Sequence, residues 1–592
     1  MLPEDVKGYY ERITTALTRE SDLTQIPLWM EKNTSNPLKP AQPWSFKGHE
    51  YQREIVSSTA HEVSAKKCSQ VGASEIFARL LLAMMDVMPA LTAIYIMPTA
   101  GMAGKFTKGR LDPIISSSKR LRDRVNKDVD SNSMKQFGNS FVHIAGSFGQ
   151  SAAISTPAQA LFRDEYDFCN QEVLTLFRSR LGHAEGGGII RDFSTPTVPG
   201  FGIDVRFQEG SQASFGVRCR HCNDFVTPKF LADVEIPGLD QPIFLLEKED
   251  LSRPEVNVDA AFCRCPQCSN QLRWEDFLDT ENRVWVHSRP AQAHKSYHIQ
   301  PWDVPTVNPI ARTLRALLDY ERKQDWVNMK VGEAYADADN SFVLGAVKEN
   351  TSGAAISPPV RETDLASCSP RYSGFLMAAD VGKTTSWLVI GVPLERGFEV
   401  VYSERIRQDG DNYLVARWQY LGKYFGISQG VIDAGPDFTS STMIASSFPG
   451  RYWKCYYTAN DGKRLENITQ NEDECTVSAF RTGCLDQLAR RVNSGFIKFR
   501  DLPDMSAMLE HLGNMKRIDE LNKDGEIFSR WVKTGDDHYA HALNYLNIAY
   551  EMSTKTSAVN VTGALPFTNK VRMKQEDGSI LGMTPPSLRG FW

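Results

Sequence analysis

Between about Phe46 and Asn340, short apolar runs of strand length alternate with segments of helical periodicity, and the alternation returns from Phe375 to about Ser553. This pattern selects a mainly parallel sheet covered by helices, so each stretch is expected to be an α/β unit. Two such units suit 592 residues, too many for one hydrophobic core. Between them lies NTSGAAISPPVRETDLASCSPR, polar and rich in Ser and Pro, which reads as a linker. The expected order is an N-terminal appendage (1–43), a first unit (44–345) holding a cysteine-rich insertion (216–300), a linker (346–370), a second unit (371–555) and a tail (556–592) rich in Gly and Pro. Residues 311–338 have the periodicity of a helix.

Composition narrows the partners. The chain is 41% hydrophobic and 23% charged, and it has no run of about 18 apolar residues that could cross a bilayer. Its opening, MLPEDVKGYYERI, carries acids and aromatics where a secretory leader needs a basic end and an apolar run, which implies a location inside a cell, away from any membrane. A net charge of -5 argues against coating nucleic acid over the whole surface, so such a contact must be local. The densest basic segment, from Lys105 to Lys127, holds Lys108, Arg110, Lys119, Arg120, Arg122 and Arg124, although a solvated helix face would account for it equally well.

The first chemical motif is KKCSQVGAS, residues 66–74, which opens the amphipathic segment EIFARLLLAMM. A phosphate-binding loop needs a glycine for close backbone approach, a hydroxyl for Mg²⁺, a lysine for charge and a helix N-terminus behind them. Gly72 and Ser74 meet two of these needs; Ala73 stands where the lysine usually lies, and Lys67 stands where the first glycine would be. About ninety residues on, ALFRDE reads as a buried strand ending in Asp164 and Glu165, suited to holding Mg²⁺ and activating water respectively. The turn STPT, with Thr195, closes another strand-like run where a γ-phosphate could be sensed.

KKCSQVGAS, AGSFGQSAAISTPAQALFRDEYD, STPT and FQEGSQASFGVRCRHC together resemble the large terminase subunit of lambda-like tailed phages, the GpA family. That resemblance implies a P-loop ATPase of RecA/ASCE type that packages double-stranded DNA, with its lysine at the early position. Lys67 is the match for that lysine and Lys66 a possible substitute. The adenine-contacting segment would correspond to FKGHEYQ, with Tyr51 and Gln52 as candidates, and the arginine completing the site would be Arg79, Arg110 or Arg163.

Five of the eleven cysteines fall between Cys219 and Cys268. Cys219 with Cys222, and Cys265 with Cys268, form two CxxC pairs able to place four thiolates on one structural Zn²⁺, as in a zinc ribbon. Cys263 or His221 could replace one ligand.

In the second unit Asp380 ends FLMAAD, Asp433 ends GVID, and Asp536 and Asp537 precede the helical run HYAHALNYLNIAYE. Two carboxylates about 4 Å apart repel by roughly 4 kcal/mol at an effective dielectric near 20, so convergence would require cations such as Mg²⁺ or Mn²⁺. GVIDAGPDF and GDDHYAHALNY resemble the second and third acidic motifs of the ribonuclease H-like nuclease of large terminases. On that resemblance Asp380, Asp433 and Asp537 are the ligands, Asp536 an alternative to Asp537, and His538 or Asp437 an assistant. It further implies a small-subunit contact in 1–43, a portal contact in 556–592, a homo-oligomeric ring during packaging, and a place in the host cytoplasm, transiently on the procapsid and absent from the mature virion. A repair or restriction helicase-nuclease is the alternative enzyme, and a DNA-binding structural protein the alternative without turnover.

Overall fold

The structure, a computed structural model, describes residues 23–560 apart from 37–38, 89, 149–155, 185–186, 338–340, 408–412, 459–466 and 523. Most of the expected appendage and nearly all of the tail therefore lie outside the described residues. The chain divides into two compact units, one within 1–337 together with 519–528, the other within 338–518 together with 529–592.

In the first unit the strands are β1 (Glu62–Lys67), β2 (Thr92–Met97), β3 (Met134–Phe137), β4 (Ser140–Gly146), β5 (Ala160–Asp164), β6 (Ile189–Ser194), β7 (Ala213–Arg218), β8 (Phe225–Val226), β9 (Arg283–His287) and β10 (Lys295–Ile299). They form one sheet in the order β8-β7-β10-β1-β6-β5-β2-β4-β3, with β9 also paired to β7. From β7 to β4 every neighbouring pair is parallel, as the alternating sequence requires. Helix α1 (Ala73–Val87) follows β1 and is buried along nearly its whole length, from Ala73 to Asp86, because EIFARLLLAMM is apolar on almost every face.

The insertion is narrower than 216–300. β7 and β9 pair with each other and β10 belongs to the main sheet, so the inserted part is 219–282, with a small sheet of Val234–Glu235, Phe262–Arg264 and Gln271–Leu272. It shares a core with the segment that follows β10: Cys219, Phe230, Cys265 and Phe277 cluster with Trp302, Leu314, Trp326 and Val331. That segment is not the single helix its periodicity suggested. It breaks into Ile310–Arg315, Ala316–Asp319, Lys323–Trp326 and a π-turn, Val327–Val331, closed by Gly332 at φ 79°.

The second unit contains β11 (Thr351–Ala354), β12 (Phe375–Val381), β13 (Thr385–Pro393), β14 (Phe398–Arg407), α2 (Tyr413–Phe425), β15 (Ile427–Asp433), α3 (Phe438–Ser447), β16 (Tyr452–Thr458), β17 (Ile468–Asn471), β18 (Thr476–Phe480), β19 (Ile497–Asp501) and the long helix α4 (His538–Asn560). The sheet order is β11-β19-β14-β13-β12-β15-β16-β18-β17. β12, β13 and β14 form an antiparallel meander, and β15, β16 and β18 extend it in parallel. Strand β12 is buried on both faces by alternation: Phe375, Met377 and Ala379 join one core, and Leu376 and Ala378 join the core capped by α4. Residues 346–370 are not a free linker. β11 pairs with β19, Ile356 N donates to Val401 O, and the Arg417 guanidinium donates to the Pro359 and Glu362 carbonyls, so the backbone of this polar segment finds its partners within the unit.

Candidate functional site

Strands β1, β5 and β6 are neighbours, and their C-terminal ends carry the residues singled out by sequence. Period-two alternation sends Lys66 and Lys67 to opposite sides of the sheet. Lys67 Nζ lies 3.1 Å from Glu165 Oε1. Lys66 Nζ instead pairs with Glu333 at 2.9 Å and Asp204 at 3.4 Å, and it rests over the Phe207 ring. Burial works against the Lys67 ammonium, but Glu165 and Asp164 outweigh it and raise its pKa above the ordinary lysine value. Burial first, and then the Glu165 charge, push Asp164 up to about 7 against the pull of Lys67 and the Tyr95 hydroxyl, which donates to Oδ2 at 2.9 Å. Glu165 adopts φ 49°, a left-handed conformation unusual for a residue with a Cβ. Among the described residues Asp164 Oδ1, Glu165 Oε2 and Thr195 Oγ1 are buried without a hydrogen-bond partner, an arrangement costly unless a ligand completes it.

Gly72, at φ 75°, starts α1, with Ser74 in its first turn. Tyr51 and Gln52 are buried against this loop. The Tyr51 hydroxyl donates to the Val71 carbonyl, and Gln52 Nε2 donates to the same carbonyl at 3.2 Å, leaving Gln52 Oε1 without a partner among the described residues. A second brace was not anticipated. Ser69 N donates to Met329 O at 2.6 Å, Cys68 N donates to Ile299 O at 3.0 Å, and a Cβ on Gly332 would lie 2.6 Å from Cys68 N. Gly332 falls inside the stretch read as one helix, and its contact with Cys68 had no signal in the sequence.

Behind Glu165 the Asp167 carboxylate accepts from Thr197 N and Thr197 Oγ1, each at 2.9 Å, and from Ile203 N at 2.6 Å, tying the acidic strand end to the STPT turn. Burial raises its pKa to about 7 in spite of those donors. Of the three arginines considered, Arg163 is locked in a bidentate pair with Asp192 at 2.6 and 2.7 Å, and Arg79 is buried between Glu75, the Ser35 carbonyl and the Trp44 ring. Arg110 is exposed. In the basic segment Arg120 and Arg124 pair with Asp86 at 2.5 Å, while Lys105, Lys108, Lys119, Arg122 and Lys127 are exposed.

In the insertion the four CxxC sulfurs lie within 4.8 Å of one another. Both pairs sit on the same turn. Asn223 N donates to Cys219 O and Ser269 N to Cys265 O, and Asn223 and Ser269 both have positive φ, 64° and 59°. Asn270 donates to Cys268 Sγ at 3.5 Å, which helps hold that thiol at about 6. Cys263 is buried apart from this group and His221 is exposed, so neither joins it.

In the second unit Ala379 of β12 pairs with Ile432 of β15, so Asp380 and Asp433 lie side by side at the strand ends. Each acid has its own partner. His538 Nδ1 is 2.8 Å from Asp380 Oδ2, with its ring stacked on Trp387 at 3.5 Å between centroids. The Tyr545 hydroxyl donates to Asp433 Oδ1 at 3.0 Å, and His541 Nε2 lies 3.2 Å from Asp537 Oδ2. Burial and then Asp380 raise the Asp433 pKa. Burial also works against the Asp537 carboxylate, but His541 and Lys533 prevail and hold it at about 2. Asp537 is buried whereas Asp536 is exposed, and Asp437 caps α3 by accepting from Ser440 N at 3.0 Å. Among the described residues the three aspartates do not form a tight group of the kind the cysteines form. His541 and Tyr545 escaped the sequence reading because one turn of α4 separates each from the next functional residue, a spacing shared with ordinary core helices.

Residues 40–279 match the family model of the phage terminase large subunit gpA, ATPase domain. No curated protein matches the chain. Among solved structures, the HK97 bacteriophage large terminase is similar at 10% identity and TM-score 0.47, over 88% of this chain and 98% of that one. The large terminase of a thermophilic bacteriophage is similar at 10% identity and TM-score 0.30, over 86% and 100%. The large terminase nuclease of thermophilic phage G20c is similar at 19% identity and TM-score 0.23, over 36% and 98%. The similarity rests on the family match and on the site within the matched residues: over 40–279 this chain is similar to the ATPase domain of the phage terminase large subunit gpA.

Proposed function

We propose that the first unit hydrolyses ATP to drive double-stranded DNA into a procapsid, and that the second is a ribonuclease H-like nuclease that cuts the concatemeric genome. The observation that carries the motor reading is Lys67 at 3.1 Å from Glu165, beside three buried oxygens that lack partners among the described residues. These groups fit ATP with Mg²⁺, which Ser74 and Asp164 would hold and which would neutralise charge on the phosphates. Lys67 would bind the phosphates, Glu165 would orient the attacking water, and Thr195 would contact the γ-phosphate. Gln52 Oε1 offers an acceptor for the adenine amino group, with Tyr51 fixing its position. Exposed Arg110 is the arginine best placed to act on a neighbouring subunit of a ring.

The cysteines fit a structural Zn²⁺. A tetrahedron with Zn–S bonds of about 2.3 Å has edges of about 3.8 Å, against Sγ–Sγ distances of 3.7 Å for Cys219–Cys268 and 3.9 Å for Cys222–Cys265. Asp380, Asp433 and Asp537 would hold Mg²⁺ or Mn²⁺, which supplies an activated water and stabilises the leaving 3′ oxygen. His538 and His541 orient Asp380 and Asp537 for that task. Residues 1–43 are the proposed small-subunit contact and 556–592 the portal contact, in a host cytoplasm where the subunits assemble as a ring.

The test is ATP hydrolysis and linear-duplex cutting by wild type and Asp380→Asn, with Mg²⁺ or Mn²⁺. Loss of cutting with hydrolysis intact supports two separate engines. Survival of cutting would mean the nuclease is elsewhere.

A further inference from the structure

The sheet register of the second unit carries a row beyond the acids. Asp380 on β12 pairs with Trp387 on β13, and Trp387 pairs with Arg405 on β14; one step further out, Thr385 pairs with Arg407. Paired residues share a face, so Arg405 and Arg407 stand on the same face and at the same end of the sheet as the acids, two strands away. At about 4.8 Å per strand that is about 10 Å, or about three nucleotides at the 3.4 Å rise of one DNA strand. Both arginines are exposed. Glu404 and Ile406, which alternate with them, belong to the other face, where Glu404 meets Arg417 of α2 and Ile406 joins the core beneath that helix.

The charge balance of this row favours an anion. Glu404, next to Arg405 along β14, lies on the opposite face and is engaged there by Arg417 Nε at 3.0 and 3.2 Å and by the Tyr402 hydroxyl at 2.7 Å. Arg405 and Arg407 make no ion pair with any described residue.

The geometry points to Arg405 and Arg407 as a phosphodiester-binding strip that seats the DNA strand a few nucleotides from the bond at Asp380 and Asp433. This rests on the nuclease reading of those acids. The strip would be a positioning device: guanidinium groups fork onto phosphate oxygens without reading base sequence and without touching the reacting bond.

The experiment uses the full chain with Arg405→Ala, Arg407→Ala, the double variant and Arg405→Lys, measuring the salt dependence of duplex affinity alongside KM and kcat for cutting. The double variant is expected to raise KM for DNA about tenfold with kcat at saturating DNA unchanged, and to flatten the log–log salt slope by about 0.9 per arginine removed. Arg405→Lys keeps the slope. ATP hydrolysis without DNA stays at the wild-type rate. Unchanged KM and slope in the double variant would overturn the strip, as would a loss confined to kcat. If wild type fails to cut, the nuclease reading falls alone: a flattened slope in duplex binding still upholds the strip, and an unchanged slope ends both.

Discussion

Replacing Gly332 by alanine tests whether the segment after β10 holds the phosphate loop in place. At φ 79° an L-residue is strained, at a cost of about 1–2 kcal/mol. The larger effect is steric. The new Cβ would lie 2.6 Å from Cys68 N, 2.9 Å from its Cα and 3.0 Å from its Cβ. Ordinary contact begins at 3.4 Å, so either the loop or the π-turn must shift by about 0.8 Å. Cys68 follows Lys67 directly, and a misplacement near 1 Å at a catalytic constellation costs about 10²-fold in rate, or about 2.7 kcal/mol. Steady-state ATP hydrolysis by Gly332→Ala should therefore lose about two orders of magnitude in kcat/KM. Gly374→Ala is the control: it has φ 82° but nothing within 4 Å of the added Cβ, so it carries the backbone strain without the clash and should hydrolyse ATP normally. Hydrolysis by Gly332→Ala within about twofold of wild type would refute the bracing argument, and so would an equal loss in the control.

The two adjacent lysines should separate cleanly. Lys67→Met is expected to abolish hydrolysis, whereas Lys66→Met strands Glu333 and Asp204 and should lower unfolding stability by about 3–5 kcal/mol in urea titrations; the reverse ranking would count against the assignment. Cys222→Ser and Cys265→Ser should each cut bound zinc from about one equivalent to well under half by atomic absorption, and retention of the metal by either would sink the four-thiolate site. Asp167 predicts a pH effect. Its folded pKa, about 7, lies above the ordinary value of 3.8, so its stability contribution is full below about 4 and is lost as pH rises through about 7. Asp167→Asn should flatten the pH dependence of unfolding between those limits while slowing hydrolysis, and an unaltered profile would remove Asp167 from the link to the STPT turn.

Much of both sites was legible because its chemistry is written in short-range pattern. Lys67 and Asp164 close strands that apolar runs mark out, Glu165 follows at once, Gly72 precedes α1, and the two CxxC pairs announce themselves by spacing. The helix expected across 311–338 failed because periodicity reports which face is buried and not whether the ladder stays α-helical; the insertion core bends that segment into a π-turn against the loop. The Ser- and Pro-rich stretch at 346–370 looked like a linker because its side chains are polar, yet its backbone groups and Cys368 found partners in the second unit.

By itself, then, the sequence determined two α/β units, the strand-end acids, the four clustered thiols and the displaced lysine, all of which follow from residue type and spacing along one element. Tertiary structure alone decided that Lys66 serves Glu333 while Lys67 serves Glu165, that His538 and His541 each hold an aspartate, that Gly332 abuts Cys68, and that Arg405 shares a row with Asp380. These depend on register and on packing between residues up to 267 positions apart. Strand order and close approach set such distances, and no local periodicity encodes them.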